Sequence, residues 1–284
     1  MAPMVSRSGR FRGPLIYRQS VWTRATHWVW ATCLFFLLLT GLQIFNAYPT
    51  LNIGLESGFE YDNAVLKIGA RDSDSGPRGY ANLLGWEVDT TGVLGWSGTE
   101  ANGYSARAFP AWATIPSNQS LASGRIVHFF FAWIFVTTLV IWLVASLINR
   151  HIRELTIGRA DLAALPADIA DHARLRFHHT GRYNVLQKLA YAGVLFVLFP
   201  LIVLTGLSMS PGFNAAAPWL LDLFGGRQTA RTIHFAVMAL LVGFFVIHML
   251  MILAAGPLNE LRSILTGWYR IDPEAGKGGD HGRF

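Results

Sequence analysis

Four apolar stretches, approximately Thr23–Tyr48, Leu121–Asn149, Val185–Ser210 and Thr229–Ala255, dominate the chain. Each is long enough to cross a hydrocarbon core of ~30 Å. Lipid offers backbone amides no water to bond, so runs of this length must close their hydrogen bonds internally as helices. Pro49, Pro211 and Pro257 follow the first, third and fourth runs, and Pro200 inside the third predicts a kink. Composition agrees: 52% hydrophobic residues and only 14% charged, where soluble domains carry ~25% charged. The expected fold class is an all-α membrane protein, a four-transmembrane-helix bundle with a long external loop between helices 1 and 2. The chain divides into a tail over 1–22, the membrane domain over 23–256 with connections at 49–120 and 150–184, and a tail over 257–284.

Net charge is +6 and the pI is about 9.8. The bases flank apolar segments rather than forming one patch, which excludes nucleic acid as a partner. Sixteen Lys and Arg fall in the N-terminal segment, the 150–184 connection with Lys188, and the C-terminal tail; seven fall on the other side. By the positive-inside bias both termini are expected in the cytoplasm. The basic N-terminus carries no small-residue cleavage site and reads as a tail before an uncleaved span. The 49–120 loop holds eight acids, four bases and Trp86, Trp96 and Trp112. Such aromatic content argues against disorder. We expect an ordered cap that docks a partner; the alternative is a loop folded back on its own helices.

Cys33 is the one cysteine, which excludes an intramolecular disulfide, Cys-x-x-Cys-His haem attachment and an iron–sulfur cluster held by this chain alone. Any redox centre must rest on histidine or another non-thiol ligand. His234 and His248 lie fourteen residues apart in the fourth run. At 100° per residue that is within about 40° of four full turns, so both face one way, separated by roughly 21 Å along the axis. An ionisable residue inside a span is costly and marks a functional site by default. His128 matches His234 in depth toward the external side, and His27 matches His248 toward the cytoplasmic side. Two bis-histidine sites within a bundle core are the simplest reading of that match; interhelical hydrogen bonding is the bland one. His151, His172, His178, His179 and His281 fall in the connection and the tail and read as solvated.

Arg24, Arg125 and Arg231 each precede one of these histidines by three residues (RATH, RIVH, RTIH). That spacing shares a helix face, and haem propionates need such guanidinium partners. For Arg24 an ordinary positive-inside role serves equally well. Arg125 and Arg231 stand on the side where arginine is scarce.

With these residues the chain resembles the di-haem cytochrome b subunits of nickel–iron hydrogenases, formate dehydrogenases and thiosulfate reductases. The resemblance rests on RATHW at Arg24–Trp28, His128, YNVLQK at Tyr183–Lys188, the His234/His248 pair and GPLNELRSILTGWY at Gly256–Tyr269. GLQIFNAYP, GLSMSPG and DLFGGRQTAR bring it nearest to the thiosulfate-reductase-like branch. It implies two haem b groups, with His27 and His248 as metal ligands on the cytoplasmic side and His128 and His234 on the periplasmic side. It also implies a quinone (menaquinone or ubiquinone) near Asn184, with Gln187 as neighbour; Asn184 as a helix cap is an equal alternative. The implied setting is the bacterial inner membrane, with a periplasmic, molybdopterin-type oxidoreductase as partner.

The function expected from the sequence is electron transfer between the quinone pool and that periplasmic oxidoreductase. Bis-histidine ligation leaves no open iron position for substrate. Competing readings are a stand-alone superoxide:quinone oxidoreductase-type di-haem cytochrome b and the cytochrome b subunit of a nickel–iron hydrogenase. The acidic loop speaks against superoxide, which needs positive steering. The loop's length departs from the hydrogenase subunits.

Overall fold

The computed structural model describes residues 13–58, 61–101, 103–148, 158–174 and 185–271. Among the described residues, four helices long and apolar enough to cross a membrane occupy Val21–Phe45, Leu121–Ile148, Val185–Met209 and Arg227–Ala255. They coincide with the four apolar runs to within a few residues. We label them α1 (Val21–Phe45), α2 (Leu121–Ile148), the pair α4 (Val185–Gly193) and α5 (Phe199–Met209), and α8 (Arg227–Ala255); α3 (Arg159–Ala173) precedes α4, and the short α6 (Pro211–Ala216) and α7 (Trp219–Leu223) lie between α5 and α8.

Between α4 and α5 a π-helical turn covers Val194–Leu198. Pro200 stands in the first turn of α5, has no N–H to give and would press its ring on the carbonyl four residues back. The wider turn absorbs both defects, so the kink expected at Pro200 takes this form.

The contacts divide the chain into two compact units. One comprises Val29–Ile141 and Val197–Leu241. It corrects the all-α expectation, because the connection between α1 and α2 is built of strands. β2 (Thr50–Asn52), β3 (Ala64–Arg71), β4 (Arg78–Leu83) and β5 (Trp86–Asp89) form an antiparallel sheet in that order, and β6 (Gly95–Thr99) pairs with β7 (Gly103–Arg107). Leu51, Ile68 and Ala108 of this cap are buried in one cluster with Phe45 of α1, and Phe235 of α8 packs against it. The cap also closes the start of α8. The Gly54 carbonyl accepts the Gln228 and Thr229 amides at 3.1 and 3.3 Å, two of the four donors that a helix start leaves bare.

The other unit comprises Met1–Trp28, Trp142–Phe196 and Val242–Phe284. In it β1 (Leu15–Tyr17) pairs antiparallel with β8 (Trp268–Arg270). The helix α9 (Pro257–Thr266) begins after Gly256 and ends at Gly267, which is left-handed at φ 87°, the C-terminal stop that glycine supplies without strain. Arg24 donates to the Leu265 carbonyl at 2.6 Å and Trp28 to Ile264 at 3.4 Å, tying the start of α1 to the end of α9. The Leu186 amide at the head of α4 is capped by the Asp168 carboxylate of α3 at 2.8 Å.

Candidate haem-ligand histidines

The four histidines of the apolar spans fall two to a unit. His128 and His234 belong to the unit that carries the cap, His27 and His248 to the other. Within each unit the two imidazoles are near enough to interact electrostatically. Among the described residues no group of three or more His, Cys, Asp or Glu gathers, so a pair of imidazoles is the largest ligand set on offer.

His128 and His234 have matching surroundings. The hydroxyl of Thr40 lies 2.9 Å from His128 Nδ1 and donates its own proton to the Phe36 carbonyl at 2.6 Å. The hydroxyl of Thr205 lies 3.0 Å from His234 Nδ1 and donates to the Leu201 carbonyl at 2.7 Å. A hydroxyl has one proton, so with that proton spent each threonine must accept from the imidazole. Both rings therefore carry the proton on Nδ1, leaving the Nε2 lone pair free for a metal.

Each threonine is followed by glycine. A Cβ on Gly41 would lie 3.5 Å from His128 Cε1, and one on Gly206 would lie 3.3 Å from His234 Cε1. The missing side chains let each ring lie against its neighbouring helix. The signal is in the sequence as a repeat: LTGL occurs at Leu39–Leu42 and Leu204–Leu207, each followed on the next span by an RxxHF at Arg125–Phe129 or Arg231–Phe235. Reading the histidines by depth alone missed Thr40, Thr205, Gly41 and Gly206.

His27 and His248 lack this arrangement. His27 Nδ1 is buried and unpartnered among the described residues, with Trp28 edge-on at 5.4 Å. Phe244 stacks on His248 at 5.7 Å. The donor chemistry in both units, a pair of imidazoles, fits ligation of haem iron.

The three arginines differ. Arg125 is exposed, 5.7 Å from the Phe129 ring. Arg24 is tied to Leu265, with its Nε buried and unpartnered among the described residues. Arg231 donates to the Tyr48 and Thr50 carbonyls, so two of its nitrogens hold the cap strand β2 and its approach. Gln187 is half-buried in the first turn of α4 and engaged by neighbours. Asn184 lies outside the described residues, as do His151, His178, His179 and His281 and the side chain of His172.

Residues 162–267 match the family model described as prokaryotic cytochrome b561. The matched stretch includes the second LTGL, His234 and His248. The chain is also 23% identical over 239 residues, 81% of its own length and 87% of the other's, to a putative protein-methionine-sulfoxide reductase subunit, YedZ1, of Azospira oryzae. The resemblance to membrane cytochrome b subunits is borne out. Its four apolar helices read as a multi-pass membrane protein, and over residues 162–267 the chain is similar to prokaryotic cytochrome b561.

Proposed function

We propose that the chain is a di-haem cytochrome b that carries electrons between the quinone pool and a periplasmic oxidoreductase. His128 and His234 would hold one haem b, and His27 and His248 the other. Haem b supplies a one-electron couple at iron. The chain's residues supply the rest. Thr40 and Thr205 orient two imidazoles and fix their tautomer, and the paired histidines would hold the haem iron with ligands from this chain alone. Asn184 and Gln187 would serve a quinone site on the cytoplasmic side, where hydrogen bonds to the ring oxygens and a proton route are required.

The duplicated threonine–histidine contact carries this reading, because a merely structural membrane histidine needs no second copy with the same tautomer. The partner is proposed as a molybdopterin-type oxidoreductase, docked on the cap. The similar protein from Azospira oryzae suggests one that reduces protein methionine sulfoxide. Setting the protein in the bacterial inner membrane with both termini in the cytoplasm follows from the basic flanks.

Purified protein should give a pyridine haemochrome spectrum of haem b at two haems per chain, and anaerobic quinol should reduce it. One haem per chain would refute the di-haem reading, and indifference to quinol the quinone leg. Thr40→Val and Thr205→Val should each weaken haem retention by about 10- to 100-fold, as loss of a ligand-orienting partner does. Thr→Ser at either position keeps the acceptor and should retain it. Competitive haem transfer to an apo-globin would measure both, and equal retention in the Val variants would rule the threonines out as positioning residues.

A further inference from the structure

We infer that the β4–β5 hairpin of the cap lies in the outer lipid surface of the same bilayer, as a second, monotopic membrane contact. The sheet register assigns the faces. Leu51 pairs with Leu66, Leu66 with Leu83, Ile68 with Ala81, Leu83 with Trp86 and Ala81 with Val88. Residues paired directly across antiparallel strands share a face, so Leu51, Leu66, Ile68, Ala81, Leu83, Trp86 and Val88 form one apolar face. Its β2–β3 end is buried against Phe45 and Phe235, which belong to the membrane helices α1 and α8. This is the face that looks toward the spans.

Toward the β4–β5 end the same face runs out beyond anything that covers it among the described residues. Leu83 is 57% exposed, Trp86 83% and Val88 62%. The turn adds Leu84, 69% exposed and held at φ 52°. A two-residue hairpin turn ending in glycine ordinarily takes Asn or Asp at that left-handed position, and a leucine there places an apolar side chain at the tip. The opposite face is charged. Lys67, Arg71, Arg78, Glu87 and Asp89 all project there, with Arg71 bridging Glu87 at 2.5 Å and Arg78 bridging Asp89 at 3.3 Å.

A sheet with one apolar face turned to the side of the spans and one ion-paired face turned away has the polarity of an element seated at a lipid–water boundary. Trp is the residue such boundaries favour. A soluble partner arriving from the aqueous side would meet the charged face first. The inference rests on the spans crossing a bilayer and is independent of the haem ligands.

The full chain in nanodiscs of phosphatidylethanolamine and phosphatidylglycerol tests it. The native thiol Cys33, which is buried, is replaced in a Cys33→Ala background. Single cysteines are then labelled with an environment-sensitive fluorophore, as Leu84→Cys and Val88→Cys on the apolar side and Asn82→Cys and Glu87→Cys on the polar side. Labels at 84 and 88 should emit to the blue and be quenched several-fold more by spin-labelled lipid than labels at 82 and 87, which aqueous iodide should quench. Equal iodide quenching on both sides overturns the inference. Shielding from iodide without quenching by spin-labelled lipid also overturns it, because the face would then be covered by protein.

Discussion

Replacing His128 or His234 by alanine is expected to remove the same haem, and replacing His27 or His248 to remove the other. Each substitution takes one imidazole from a half-buried pair, and among the described residues no larger cluster of ligating groups gathers to take its place. Each variant should hold half the haem of the parent, and the two groups should lose different components of the low-spin ferric spectrum. His128→Ala and His234→Ala leave Thr40 and Thr205 respectively without their imidazole donor, so a double variant within one group should lose no more haem than either single. Haem quantified per chain, with spectra at low temperature, reads the grouping. If His27 grouped with His128, or if His234 and His248 lost the same component, the pairing would be wrong.

The apolar spans were legible in the sequence because one physical demand, an internally satisfied backbone of sufficient length, acts on every residue of a run. Expected and observed bounds differ by two and three residues at the two ends of α1, by two at the start of α8, and by one at the C-terminal ends of α2 and α5. The cap was less legible. Its aromatic content gave order, but the strands had to be read from short alternations such as Leu66–Lys67–Ile68, which the membrane-scale hydropathy hides.

The threonines were hidden for another reason. A hydroxyl in an apolar helix usually bonds the carbonyl three or four residues back, and Thr40 and Thr205 do so. Only the packing of the next helix reveals that the same oxygen also meets an imidazole. The three-residue Arg–His spacing fixed a shared face but not a partner, and for Arg231 the carbonyls of Tyr48 and Thr50 take up two nitrogens.

Arg107→Leu should detach the cap. This guanidinium, only 7% exposed, sits at the end of β7 and donates to the Phe109 carbonyl at 2.8 Å, the Ser117 carbonyl at 2.7 Å, Gln43 Oε1 at 3.0 Å and Thr114 Oγ1 at 2.8 Å. Burial pulls its pKa below the ordinary guanidinium value, so its charge is held by these four neutral oxygens. Leucine would strand the buried acceptors of Gln43 and Thr114, at roughly 1–3 kcal/mol for each. Arg107→Lys should not rescue the loss, because an ammonium cannot fork to four oxygens in this plane. Limited proteolysis should cut within residues 49–120 of the Leu variant while the far-ultraviolet helical signal persists.

The consequence should reach the histidines of the same unit. Gln43 stands one turn beyond Thr40 on α1 and therefore on the same side of the helix. A small shift of that turn should alter the spectrum of the haem held by His128 and His234 before it alters that of His27 and His248. A Leu variant that stayed protease-resistant with an unchanged spectrum would show that the cap is held by its apolar cluster at Phe45 and Ile68 alone.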